Sequence, residues 1–435
     1  MPKHKYNPVT RKLRDLKRRG KRMEKRMQQN DMDKKETNRL CKNPALKPSI
    51  VTMNRYTGSD LTPIVQTTSG PVQGYIDTAK ANIHTFLGIP FAEPPVGPLR
   101  FKPPNPIEKP RQATIFATFH SKVSLQLPMP FDTLMSAELL PQSEDCLYLN
   151  VWTLGVNDGA KRPVMVWIHS GACLSGSGSQ RFWNGANLAK NDVVVVTLNY
   201  RLGVLGWMHL ADLCGEEFND TANLGMLDQI AALKWVRDNI EQFGGDPKNV
   251  TLFGASVGAA CALTLLHSPP AKGLFHHVIA QSPLHFMLNP REWANFKTEV
   301  FLRSLGLTPE TAHELFTIDP KRLLDVQTLF LSWPNFLEAL APIGPSEDGR
   351  TIPFTPLRDI MHEDAKLFPE VKILIGWTRD EYNLFFLSMR DFGKRDREII
   401  IRTHFTHVFG KNAEIAFEIY KDKICPSGSP AAECA

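Results

Sequence analysis

The stretch that most constrains the fold runs from Asn249 to Ser268. It begins with the apolar run Val250–Phe253, which is typical of a buried strand, and continues with apolar residues at helical spacing. Between the two lies Gly254-Ala255-Ser256-Val257-Gly258, a match to the G-x-S-x-G pattern in which a strand turns sharply into a helix. The turn requires glycine because a Cβ would collide with the neighbouring elements. The pattern predicts Ser256 as a nucleophile at a helix N-terminus, where backbone N–H groups favour developing negative charge.

Further apolar runs predict the rest of a central sheet. They are short and almost continuously apolar, as expected of strands covered on both faces, and comprise Val164–His169, Val193–Leu198, Val250–Phe253, His277–Ala280 and Ile373–Gly376. Residues 222–243 have one broad apolar face, which predicts a helix. Strands that alternate with helices indicate an α/β fold, with a mostly parallel sheet and helices on both faces.

The charge of the chain is concentrated at one end. The formal net charge is +6, yet residues 1–43 hold sixteen Lys and Arg against five Asp and Glu. We therefore predict three parts: a basic, disordered arm over 1–62, a folded domain over 63–424, and a small, polar tail over 425–435. Two interpretations of the arm remain open, a solvated tail without a specific partner and a segment that contacts polyanions or acidic surfaces.

Composition also bears on compartment and cofactors. No apolar segment of the secretory type follows the arm, and no run of about 18 apolar residues is present, so the sequence predicts an intracellular protein, cytoplasmic or nuclear, without a transmembrane segment. The seven cysteines are scattered without metal-ligand spacing, which predicts no metal site and reduced thiols. Cys261 is interpreted as a small buried hydrophobe. We expect no cofactor.

Several longer stretches carry a family resemblance. FLGIPFAEPPVGPLRF, SEDCLYLNVW, PVMVWIHSGACLSGSGS, VVVVTLNYRLGVLGW, KGLFHHVIAQS and LIGWTRDEYNLF occur in order, together with the segment around Ser256. Over roughly residues 63–390 the chain resembles the type-B carboxylesterase and cholinesterase family of α/β hydrolases, which also contains non-catalytic members such as the neuroligins. The resemblance implies the α/β-hydrolase fold and hydrolysis of carboxylic esters by a nucleophilic serine.

The resemblance also implies site residues. Ser256 stands at the nucleophile position and Glu381 at that of the triad acid, which orients and stabilises an imidazolium. The oxyanion hole would consist of the backbone N–H groups of Gly171, Ala172 and Val257. Where the family has His-Gly-Gly-Gly-Phe, this chain has HSGACL, and we expect Ala172 to resist the positive φ that glycine adopts freely.

The base of the triad has no match. The family places this histidine in a His-Gly context roughly a hundred residues beyond the acid, whereas only His404 and His407 follow Glu381 here. Their apolar neighbours indicate ordinary helix residues. Relative to the family, the chain is expected to be C-terminally incomplete. The family's disulfide partner of Cys146 matches Ser124, which cannot form that bond.

Three functions remain open at this point. The chain is a carboxylic-ester hydrolase that is weakly active or inactive as given, a non-catalytic binding protein of the neuroligin kind, or a truncated product of a full-length active esterase. In the first case the ligand is a small ester. In the others, a protein partner that covers the missing C-terminal third is a candidate.

Overall fold

The computed structural model describes residues 60–128, 138, 140–283, 288–328, 343–353, 368, 370–379, 381, 402, 405 and 412–424. Its strands are β1 (Val65–Thr67), β2 (Gly70–Gln73), β3 (Tyr75–Asp77), β4 (Ile83–Pro90), β5 (Ile115–Phe116), β6 (Tyr148–Thr153), β7 (Arg162–Ile168), β8 (Val194–Leu198), β9 (Gly245–Ala255), β10 (His277–Gln281) and β11 (Lys372–Gly376). Nearly all of the predicted basic arm, the tail, and both His404 and His407 lie outside the described residues.

Eight of these strands form the central sheet of the described part of the chain. Their order is β11-β10-β9-β7-β8-β6-β4-β3. The five strands from β11 to β8 are parallel, and β6, β4 and β3 continue the sheet with antiparallel pairing. These five parallel strands are the five predicted from their apolar runs, so the expected mostly parallel sheet is confirmed. A small second sheet contains β1, β2 and β5.

Helices follow the parallel strands, as an α/β layer fold requires. They are α1 (Ala186–Ala189), α2 (Gly203–Trp207), α3 (Ala211–Cys214), α4 (Leu224–Asn239), α5 (Val257–Leu265), α6 (Arg291–Leu305), α7 (Pro320–Gln327) and α8 (Ala413–Ile424). The predicted helix over 222–243 is α4, with short 3-10 turns at both ends. Within the described residues, no helix combines the length and apolar character needed to cross a membrane.

The parallel register determines where functional groups can meet. Ala255 at the end of β9 pairs with Gln281 at the end of β10, and Gln281 pairs in turn with Gly376 at the end of β11. Carboxyl ends of parallel strands lie at one edge of a sheet, where open α/β folds bind their ligands. The residues directly after β9, β10 and β11 are therefore neighbours.

Candidate active site

The predicted nucleophile Ser256 stands at a sharp turn between β9 and α5. Its backbone has φ 56° and ψ −123°, a conformation that non-glycine residues rarely adopt, and it is the N-cap residue of α5. A Cβ on Gly254 would lie 2.6 Å from the carbonyl carbon of Gly258, and a Cβ on Gly258 would lie 2.2 Å from the carbonyl oxygen of Ile168. Both glycines are therefore required by close packing. A strained backbone of about 1–3 kcal/mol at such a turn is typical of a functional site.

Glu381 lies just beyond β11 and accepts several hydrogen bonds. The Thr378 N–H donates to its Oε2 at 3.1 Å, and the hydroxyls of Thr378 and Ser282 also bond its carboxylate. Desolvation by burial opposes ionisation, but the bonds from Ser282 and Thr378 outweigh it and lower the pKa of Glu381 below its ordinary value. The carboxylate is thus held ionised, as an acid that supports an imidazolium must be.

Backbone hydrogen bonds connect these groups across three strand ends. The Ser256 N–H donates to the Gln281 carbonyl at 2.9 Å, and the Ser282 N–H donates to the Gly376 carbonyl at 2.8 Å. Ser282 also has a positive φ of 49°. It follows β10, which lies between the strands that carry Ser256 and Glu381. Ser256 and Glu381 therefore stand two strands apart at the same edge, with Ser282 on the strand between them.

The loop after β7 carries two of the three predicted oxyanion donors. Gly171, Ala172 and Cys173 have φ values of 120°, 56° and 61°. The expectation that Ala172 would resist a positive φ is wrong, because the loop holds both Ala172 and Cys173 in the left-handed region. Among the hydrogen bonds of the described residues, none uses the N–H of Gly171 or Ala172. The N–H of Val257, the first helical residue, has no acceptor within α5.

Tertiary hydrogen bonds explain how this loop keeps a conformation that its side chains disfavour. The Tyr200 hydroxyl donates to the His169 carbonyl at 3.0 Å, and the Gly203 N–H donates to the Cys173 carbonyl at 2.7 Å. On the other side, Gln126 forms two bonds with the backbone of Gly176, at 2.7 and 3.0 Å. The loop is thus fixed at both ends by residues outside it.

A buried ion pair secures the segment after β8 that supports the loop. The Arg201 guanidinium donates to both carboxylate oxygens of Asp228 at 2.8 and 2.7 Å, and the Arg201 backbone N–H donates to the same carboxylate at 2.9 Å. Both side chains are almost completely buried. A bidentate pair of this kind fixes orientation as well as distance. Asp228 belongs to α4, so this helix fixes the segment after β8, which in turn supports the loop after β7.

Four described histidines lie in or next to the parallel strands and α5. His169 is fully buried and stacks on Tyr200 with ring centroids 4.3 Å apart, and burial lowers its pKa to about 4. Burial likewise lowers the pKa of His267 to about 4. The His276 imidazole accepts from the Val250 N–H at 3.2 Å, and His277 begins β10, at the opposite edge of the sheet from Ser256. None of the four forms a hydrogen bond with Ser256 or Glu381 among the described contacts.

Ser124, the position that the resemblance assigns to the disulfide partner of Cys146, is among the described residues. Cys146 is completely buried and its thiol hydrogen-bonds Ser124, the residue that stands where secreted relatives were expected to have a cysteine. Burial raises the pKa of the Cys146 thiol strongly. A hydroxyl thus stands beside Cys146 at the position where the resemblance implied a second sulfur.

The sequence analysis did not identify two residues that hold parts of the site in place, Ser282 and Tyr200. Ser282 could have been identified from the sequence because it directly follows the apolar run that forms β10, the neighbour of β9. A polar residue at the end of that strand lies at the sheet edge where ligands bind. Tyr200 follows β8 in the same way, but the acceptor of its hydroxyl depends on the path of the loop after β7. Within the described residues, no group of His, Cys, Asp and Glu has the arrangement of a metal site.

Known proteins resemble the chain over most of this fold. The para-nitrobenzyl esterase of Bacillus subtilis is 42% identical over 333 residues, covering 75% of this chain and 65% of that enzyme. The acylcarnitine hydrolase of Mus musculus is 45% identical over 234 residues, which is 51% of this chain and 40% of that protein. The chain thus spans less than two thirds of the length of these curated relatives.

Solved structures and the family profile agree. The carboxylesterase EST55 of Geobacillus stearothermophilus superimposes with a TM-score of 0.71 at 38% identity, covering 84% of this chain and 71% of that one. A PNB esterase structure gives a TM-score of 0.70 at 37% identity, with coverages of 82% and 72%. The profile of the Carboxylesterase family matches residues 61–425. By sequence, fold and the arrangement of its strand ends, the chain belongs to the carboxylesterase family of α/β hydrolases.

Proposed function

We propose that the chain carries the serine and acid half of a carboxylic-ester hydrolase site, and that this polypeptide hydrolyses esters weakly or not at all. The observation that carries this proposal is the placement of Ser256 at a strained turn, with Glu381 held ionised two strands away at the same sheet edge. A substrate carbonyl at Ser256 would face the N–H groups of Gly171, Ala172 and Val257. These donors would stabilise the oxyanion of a tetrahedral intermediate.

We expect low activity because Ser256 lacks a suitable base among the described residues. A serine hydroxyl is a weak nucleophile at neutral pH unless a neighbouring base accepts its proton. His169, with a pKa of about 4, is too weak a base for that task near neutrality. In a serine protease, loss of the histidine alone reduces kcat by about a million-fold, whereas oxyanion donors and binding leave roughly a thousand-fold over water.

The substrate class comes from the relatives. The names of para-nitrobenzyl esterase and acylcarnitine hydrolase both denote cleavage of a carboxylic ester. We therefore propose small, uncharged esters with activated leaving groups as substrates, since such esters need least help from a general acid. The experiment measures hydrolysis of para-nitrophenyl acetate and labelling by a fluorophosphonate probe, wild type beside Ser256→Ala.

We expect slow hydrolysis and slow labelling, both abolished in Ser256→Ala and both raised by tens of millimolar imidazole, which would supply the base in trans. Rescue by imidazole should fail in Glu381→Gln if the acid orients the added base. Fast labelling without imidazole would overturn the proposal of weak activity. It would show that the chain contains its own base, with His404 and His407 the first residues to substitute.

A second proposal concerns a protein partner. The strand β11 is the last described strand at its edge of the sheet, and Ile373, Leu374 and Ile375 are 51%, 66% and 44% exposed. Three consecutive exposed aliphatic side chains on an edge strand favour contact with another polypeptide. We propose that this strand is a contact surface; the self-association measurement in the Discussion tests it.

A further inference from the structure

Trp377 is the first residue after β11, and its side chain is 59% exposed. The residues that directly follow the other four parallel strands are all polar and none is exposed: His169, Asn199, Ser256 and Ser282. Among these five described positions, Trp377 is therefore the one large apolar side chain open to solvent. The edge at which it lies is where open α/β sheets bind their ligands, which distinguishes it from exposed apolar side chains elsewhere.

The strand register places Trp377 level with the predicted nucleophile. The residues that precede Trp377, Ser282 and Ser256 are paired with one another across β11, β10 and β9, so the three that follow form one row. Neighbouring strands lie about 4.8 Å apart, and the backbones of Trp377 and Ser256 are therefore separated by about 10 Å. An ester whose carbonyl lies at Ser256 can span this distance with a substituent of several atoms.

A hydrogen bond orients the indole ring at this edge. The indole N–H donates to the Pro283 carbonyl at 3.4 Å, so the ring is tied to the end of the neighbouring strand. Thr378, the next residue in the chain, donates its N–H to the Glu381 carboxylate at 3.1 Å. Trp377 is thus fixed between two groups of the candidate site while most of its surface stays open. A surface that is already oriented loses little freedom when a ligand stacks on it.

We propose that Trp377 is a specificity-determining residue, which stacks on a planar aromatic ring of an ester whose carbonyl lies at Ser256. A flat ring covers the face of an indole more completely than a saturated ring of the same size. Stacked aromatic pairs are also more favourable than their contact area alone predicts, by about two- to tenfold in affinity. The inference rests on the proposed function for the ester, whereas the aromatic contact itself requires no catalysis.

Binding is measured in Ser256→Ala, where the serine cannot consume the ester, by ligand-observed NMR titration. Benzyl acetate carries the ring in its alcohol part, and cyclohexylmethyl acetate is its saturated match. Methyl phenylacetate and methyl cyclohexylacetate form the same pair for the acyl part. We expect the aromatic ester of at least one pair to bind about fivefold more tightly than its match, and that pair identifies the part of the ester that reaches Trp377. Equal affinities within both pairs would overturn the proposal.

Variants of Trp377, made in the same Ser256→Ala protein, isolate the aromatic ring. Trp377→Leu and Trp377→Phe both remove the indole N–H, but only the second keeps an aromatic face. The preference for the aromatic ester should vanish in the first and persist in the second. Phe116→Leu, at a position on β5 that is 58% exposed in the small sheet, should leave the preference unchanged. A preference that survives Trp377→Leu would overturn the proposal; a change in sedimentation alongside it would assign Trp377 to the polypeptide contact of β11.

Failure of this inference and failure of the proposed function give different results. Selective binding that depends on Trp377, in a chain whose Ser256 is not labelled by a fluorophosphonate, would support the aromatic contact and contradict the proposed ester chemistry. Labelling of Ser256 without selective binding would do the reverse. Where hydrolysis is measurable, Trp377→Leu should raise KM for the aromatic ester about fivefold with kcat unchanged, because the stacked ring is bound equally in the ground state and the transition state.

Discussion

The hydroxyl of Ser282 hydrogen-bonds the carboxylate of Glu381, which joins the end of β10 to the segment that follows β11. The serine backbone is fixed from the other side by its bond to the Gly376 carbonyl. Ser282 thus helps to hold the carboxylate at the position predicted for the triad acid. Its contribution is measurable without any catalytic assay.

Removal of this hydroxyl should raise the pKa of Glu381. A carboxyl whose pKa is depressed in the folded state stabilises the fold above its unfolded pKa, and that stability is lost as pH falls through the folded value. In Ser282→Ala the stabilisation should therefore be smaller, and its loss should be complete at a higher pH than in wild type. Carbon-13 NMR titration of glutamate carboxyls measures the shift; Glu310, an exposed carboxyl bonded by Thr308, serves as the internal control. An unchanged Glu381 titration would refute the role of Ser282.

Gly258→Ala should destabilise the fold strongly. The added Cβ would lie 2.2 Å from the backbone oxygen of Ile168, which cannot move without displacing β7. We expect a loss of about 3 kcal/mol, at the upper end of overpacking effects. Gly376→Ala is the matched control, because a Cβ there meets nothing within 4 Å. Equal denaturation midpoints for the two variants in urea would contradict the packing argument.

The strands at the ligand edge were predictable, whereas the loop conformation was not. Apolar runs such as Val250–Phe253 indicate buried strands by their own composition. Predicting such a strand therefore requires no knowledge of the elements that pack against it. The positive φ of Ala172 depends on hydrogen bonds from Tyr200 and Gly203, which come from a different strand end.

Asp228→Ala should be among the most destabilising substitutions away from the sheet edge. It leaves the Arg201 guanidinium buried without its carboxylate, a situation that costs about 3–5 kcal/mol. Asp238→Ala, which removes the exposed partner of Arg237, should change the free energy of unfolding by less than about 1 kcal/mol. Chemical denaturation of both variants makes the comparison. Similar losses would mean that the buried pair contributes no more than a surface pair.

The exposed strand β11 should promote self-association. We expect wild type to form larger species as concentration rises, and Leu374→Lys to reduce them because a charge on an edge strand opposes pairing. Ile64→Lys, at a position that is 45% exposed outside β11, controls for a general gain in solubility. Sedimentation velocity across a hundred-fold concentration range measures the effect. Identical distributions for wild type and Leu374→Lys would exclude β11 as the contact surface.

The left-handed backbone of Ala172 and Cys173 bears on how such a site can change over evolutionary time. Tyr200, Gly203 and Gln126 hold the loop from outside, so its shape is inherited from the scaffold and not from its own residues. Glycine is therefore not required at Ala172 or Cys173 for the loop to keep its course. Sequence change at these two positions can proceed without loss of the backbone shape, and Ala172→Gly should relax the strain without altering that shape.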